Sequence, residues 1–68
     1  MSKVYRLNND FAIECSSYEN KSGKFHRVVV IQVGLWFEPV VEEICDIPSA
    51  EEANRVFKEM VSKYRKGI

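Results

Sequence analysis

The chain has 68 residues, 46% of them apolar and 29% charged, with ten basic and ten acidic side chains that cancel. That composition is globular and argues against disorder, and a neutral chain has no overall electrostatic pull toward nucleic acid or anionic lipid, so any such binding must come from local segregation of charge. A chain this short makes one domain, here residues 1–68, and buries only about 60% of its unfolded surface, which leaves no room for a deep catalytic pocket.

Lys3 to Leu7 alternate, and Asn8-Asn9-Asp10 follows, the pattern of a short strand and a tight turn. From Phe11 to about Tyr18, Phe11, Ile13 and Cys15 share one parity against Ala12, Glu14 and Ser16, so a second strand has one clear buried face. Glu19 to Lys24 is polar throughout and contains Gly23, which predicts a hairpin loop longer than the two-residue type.

The third strand starts near Phe25 and runs at least to Val33, because the β-branched run Val28 to Ile31 favours extended backbone. It is apolar on both parities. One holds Val29, Ile31, Val33, Leu35 and Phe37, and the other holds Val28, Val30 and Trp36 beside His26, Gln32 and Gly34. Gly34 ends or bulges the strand, and Leu35-Trp36-Phe37 is an apolar segment between that glycine and Pro39. Val40 to Ile47 reads as a fourth strand, again two-faced, with Glu42-Glu43 interrupting the alternation as a bulge would.

The last element is a helix over Ala50 to Lys66. Ser49 and Glu52 form a capping box, and Ala50, Ala53, Val56, Phe57, Met60, Val61 and Tyr64 recur at helical spacing. Glu51 and Glu52 in the first turn and Lys63, Arg65 and Lys66 in the last match the helix dipole. Glu51 with Arg55 and Glu59 with Lys63 are set as i,i+4 pairs.

The fold class is therefore α+β, a four-stranded antiparallel β-meander followed by one C-terminal α-helix packed on one sheet face (ββββα). One helix covers one face, and Phe11, Ile13, Val29, Ile31 and Val33 are expected beneath it. The uncovered face would then carry Val28, Val30, Trp36, Val40 and Ile44, an apolar surface that a second copy of the chain would bury.

No constellation carries chemistry. His26 is the single histidine, with no triad around it, and adjacent Glu42 and Glu43 point to opposite faces of a regular strand and cannot act as a carboxylate pair. The two thiols, Cys15 and Cys45, read as reduced, small apolar strand residues, and with one histidine they fall short of the four ligands of a structural zinc site. Neither phosphate-loop glycine patterns nor metal-ligand spacings occur, so no enzyme activity, metal or cofactor is expected. No secretory leader is read at the start, and the longest apolar stretch is far below the ~20 residues that span a bilayer, which points to a cytoplasmic protein without a membrane partner.

The expected function is thus that of a non-enzymatic interaction module, a homodimer joined through the uncovered sheet face. One alternative is single-stranded DNA or RNA binding on a sheet face, with Tyr18 stacking and Lys21, Lys24 and Arg27 gripping phosphates. Another is a small regulator or inhibitor that grips a second protein through Leu35, Trp36 and Phe37. The element order resembles that of the single-stranded-DNA-binding transcriptional coactivators, a four-stranded sheet followed by a helix that dimerises. The resemblance is one of topology, and no residue motif accompanies it.

Overall fold

The computed structural model describes residues 2–33 and 39–65. Within them the chain forms β1 (Ser2–Arg6), β2 (Phe11–Asn20), β3 (Gly23–Gln32), β4 (Val40–Ile47) and α1 (Ala50–Arg65). The strands pair antiparallel in chain order as a single four-stranded sheet, so the expected ββββα architecture holds.

Asparagine side chains shape both tight connections. Asn8 Oδ1 accepts hydrogen bonds from the backbone N–H groups of Asp10 (2.7 Å) and Phe11 (2.9 Å), which turns β1 into β2. Asn20 Oδ1 accepts from the N–H of Ser22 (2.8 Å), and Gly23 follows at φ 130°, a conformation open to glycine because it lacks a Cβ. Asn20 pairs with Gly23, so only Lys21 and Ser22 lie between the strands, and the longer loop expected from the polar run Glu19 to Lys24 does not form. Polarity there reports exposure, whereas backbone pairing continues beyond the end of the core.

Ile13 stands opposite Val30 and Cys15 opposite Val28. This register places Phe11, Ile13 and Cys15 on one face with Val28 and Val30, and α1 lies over that face. Ile13, Val28 and Val30 are 0%, 1% and 0% exposed, and they form the core with Ile47 and Met60. Ala53, Val56, Phe57, Val61 and Tyr64 of the helix pack around it, as the helical spacing predicts. For β3, however, the expected faces are reversed. Val28 and Val30 lie beneath the helix and cannot form a contact with a second copy, while Val29 and Ile31 take the opposite parity. The reason is that β3 is apolar on both sides, so its own pattern cannot choose a face; the one-sided alternation of β2 chooses through the register. Val29 is still buried on the helix-free side, where Glu14 and Glu43 stand directly across from it on the neighbouring strands.

The helix begins as predicted, with Ser49 Oγ accepting from the N–H of Glu52 at 3.1 Å. Its ion pairs differ from the predicted set. Arg55 pairs with Glu52 at 3.2 Å, and Lys63 leaves Glu59 for Glu42 of β4 at 2.9 Å. Glu42 is already held in place by the Tyr64 hydroxyl, so it is a more ordered partner than a freely rotating glutamate on the same helix.

β4 carries two irregularities. Val30 pairs with Glu42 but Ile31 pairs with Val40, which leaves Val41 as an extra residue; His26 pairs with Ile47 but Val28 with Ile44, which sets Cys45 and Asp46 against the single residue Arg27. The bulge expected near the glutamates is thus present on both sides of them. Asp46 adopts φ 58°, the left-handed region.

Candidate functional site

β4 is an edge strand, and the way it meets the rest of the sheet leaves an apolar margin. Val40, Val41 and Ile44 are 58%, 45% and 36% exposed, three of the five large apolar side chains that stand exposed among the described residues. Val41 is the extra residue of the first bulge, and Ile44 shares a face with Val28 at the rim of the helix-covered surface. Of the five residues expected to form an apolar contact, Val40 and Ile44 both lie on this edge strand but on opposite faces of it, Val40 across from Ile31 and Ile44 across from Val28; Val28 and Val30 are core, and Trp36 lies outside the described residues. So do Gly34, Leu35 and Phe37, and with them the whole segment expected to grip a partner protein; β3 itself ends at Gln32, one residue short of the expected Val33.

The two acidic residues between these apolar ones are both neutralised. Glu42 and Glu43 point to opposite faces, as alternation requires. On the helix side, Glu42 Oε1 accepts from the Tyr64 hydroxyl (2.6 Å) and the Lys63 ammonium (2.9 Å). On the other side, Glu43 meets the Arg27 guanidinium at 3.5 Å. The Tyr64 hydroxyl first, and Lys63 second, hold the Glu42 carboxyl below its ordinary value of 4.5. The same carboxylate raises both Lys63 and Tyr64 above their ordinary values.

A depressed carboxyl stabilises the fold above about pH 4.5, and that contribution is lost as pH falls through its lowered folded value; raised Lys63 and Tyr64 contribute below about pH 10 and lose it as pH rises through theirs. Glu42→Gln is therefore expected to melt earlier than the parent at neutral pH and to show a flatter acid limb. Melting temperatures of the two proteins across pH 2–7 and at two salt concentrations test this. Because the groups are partly solvated, the difference should shrink with salt, and curves that run parallel through acid would refute the assignment.

A second cluster sits at the end of the β2–β3 hairpin. The Tyr18 hydroxyl accepts the backbone N–H of Asp46 at 2.8 Å and donates to the Asp46 carboxylate, so a β2 side chain reaches over β3 and fastens the second bulge of β4. Donation to that carboxylate, with some desolvation, pushes the Tyr18 phenol above its ordinary value. Phe25 lies against Tyr18 with ring centroids 6.0 Å apart, and Lys24 lines the same shallow hollow together with Glu19. Of the four residues expected to contact nucleic acid, Tyr18 and Lys24 thus come together and Lys21 occupies the adjacent turn. Arg27 is engaged with Glu43, and Asp46 and Glu19 bring negative charge to the cluster.

The Tyr18–Asp46 pair was not anticipated from the sequence. Its signal is the spacing of Ile44 and Ile47, which differ in parity yet both face the helix side; only an extra residue between them allows that, and aspartate tolerates the left-handed backbone better than its apolar neighbours. Both cysteines are free, Cys15 partly buried beside the core and Cys45 exposed. Among the described residues no helix is long and apolar enough to cross a membrane. Comparison with protein families, curated proteins and solved structures finds no match to this chain.

Proposed function

We propose that the chain is a small non-enzymatic interaction module that works as a homodimer, with the margin of β4 as its contact. The observation that supports this reading is the concentration of exposed Val40, Val41 and Ile44 on one strand. Three further features favour a second copy as the occupant. Glu42 and Glu43 are paired within the chain and do not repel a symmetry mate. The net charge is zero, so long-range self-repulsion is absent. The core of a chain this small is slight, and burying apolar side chains of two copies against each other enlarges it. The two bulges make β4 a poor template for extending the sheet, so the contact is side-chain packing rather than a continuous ladder. Free thiols suit a reduced, cytoplasmic setting.

Light scattering across a concentration series tests the reading, with Val41→Lys as the variant. The parent should show twice the chain mass and the variant a single chain mass, with unchanged circular dichroism. A parent that stays monomeric at every concentration overturns it.

Single-strand nucleic-acid binding at the hairpin end is the second reading, drawn from the Tyr18–Phe25 ring pair beside Lys24. The commitment of Tyr18 to Asp46 and of Arg27 to Glu43 ranks it lower.

A further inference from the structure

At the start of α1, the helix does not close completely on the sheet. Two adjoining hollows of about 160 and 210 Å³ open there and share Cys15, His26 and Ala53. Their floor and walls are largely carbon, with Val28 and Ala53 at one end and Tyr5 and Phe57 at the other. The rings of Tyr5 and Phe57 lie 4.9 Å apart and wall off the cleft on the β1 side.

The register gathers the polar groups. Lys3 of β1 stands opposite Cys15, and His26 of β3 stands opposite Ser17, so an ammonium and an imidazole flank β2 from its two sides on the helix face. Among the described residues no carboxylate lines either hollow. Glu51 and Glu52 line a different hollow, with Ser49 and Arg55. The thiol of Cys15 is pushed up by burial and by Glu14, which keeps it protonated and makes it part of the apolar floor rather than a nucleophile.

We propose that this cleft binds a small free carboxylate carried on an apolar, ring-sized body. Lys3 and His26 supply donors to the carboxylate, the start of α1 adds the positive end of its dipole, and the ring packs against Phe57 and Tyr5. Each hollow alone is below the roughly 300 Å³ where drug-sized sites begin, and the two together have room for one ring and its carboxylate, so the occupant is a small molecule and not a folded partner.

Amide NMR titration with 3-phenylpropionate, run beside 3-phenylpropylamine as a body of matched shape and reversed charge, tests the proposal. The carboxylate should give saturable shifts at Cys15, Ser17, His26 and Ala53 in the millimolar range, and the amine should not. Lys3→Glu, a change on an exposed edge strand, should weaken the carboxylate at least several-fold while leaving the rest of the spectrum in place. Ala53→Leu, which fills the cleft, should abolish the shifts. Equal shifts from the amine, undiminished binding to Lys3→Glu, or no saturable response each overturn it. Shifts of the same amides on raising protein concentration alone would assign the cleft to a second copy, and would overturn it as well.

Discussion

An Ile13→Ala variant is expected to lose about 2–5 kcal/mol of stability, the range for deleting a buried isoleucine side chain down to its Cβ. Ile13 is 0% exposed, paired with Val30 and enclosed by the helix, so no solvent can refill the space and little can collapse into it. A 68-residue domain has on the order of 3–10 kcal/mol in total, so the loss is about half of it at the centre of both ranges. Urea unfolding followed by far-UV circular dichroism should show the midpoint falling by half or more, or no folded baseline at all. Val41→Ala, at a residue 45% exposed, is the comparison and should shift the midpoint little when both are measured under conditions where the protein is monomeric. Similar midpoints for the two variants would mean that the faces of the sheet are wrongly assigned.

The second large effect is expected at Asp46. Its φ of 58° is a backbone conformation that costs an ordinary L-residue about 1–2 kcal/mol, and a β-branched residue at the upper end or beyond. Asp46→Gly and Asp46→Ala both remove the carboxylate that Tyr18 bonds, so their difference isolates the backbone. Glycine should be the more stable by about 1 kcal/mol, the left-handed penalty less glycine's greater freedom in the unfolded chain. Asp46→Val should be the least stable of the three, by about 2 kcal/mol relative to the parent. Thermal melts of the set decide the matter. A ranking with alanine above glycine would remove the left-handed bulge from the description of β4.

How far the sequence could be read depended on whether one chain segment contained its own answer. The helix did, because Ser49, Glu52 and the spacing from Ala53 to Tyr64 specify cap, start and buried face within one segment. β2 did too, since Ile13 and Cys15 have polar neighbours on the other parity. β3 did not: Val28 to Ile31 suits either face, and only pairing with β2 decides which valines meet the helix. That is why the apolar contact surface read from β3 turned out to be core, while Val40 and Ile44 on β4 kept the exposure expected of them. The hairpin length escaped for a related reason, since polar residues at a strand end look like loop until the partner strand is in view. Glu42 and Glu43 were placed on opposite faces by simple alternation, but nothing local indicates that Tyr64 and Arg27 hold them there.

The strand order has a consequence for the rate at which the molecule forms. Every strand pairs only with its neighbour in the chain, through connections as short as Lys21-Ser22, so each hairpin can close without waiting for a distant segment. The loop entropy lost before any pairing is gained is small, and the contacts of α1 with β2 and β3 are the ones that close the longest loops. Such a chain is expected to fold quickly for a protein that is mostly sheet, and its two central strands, β2 and β3, are left without partners only briefly.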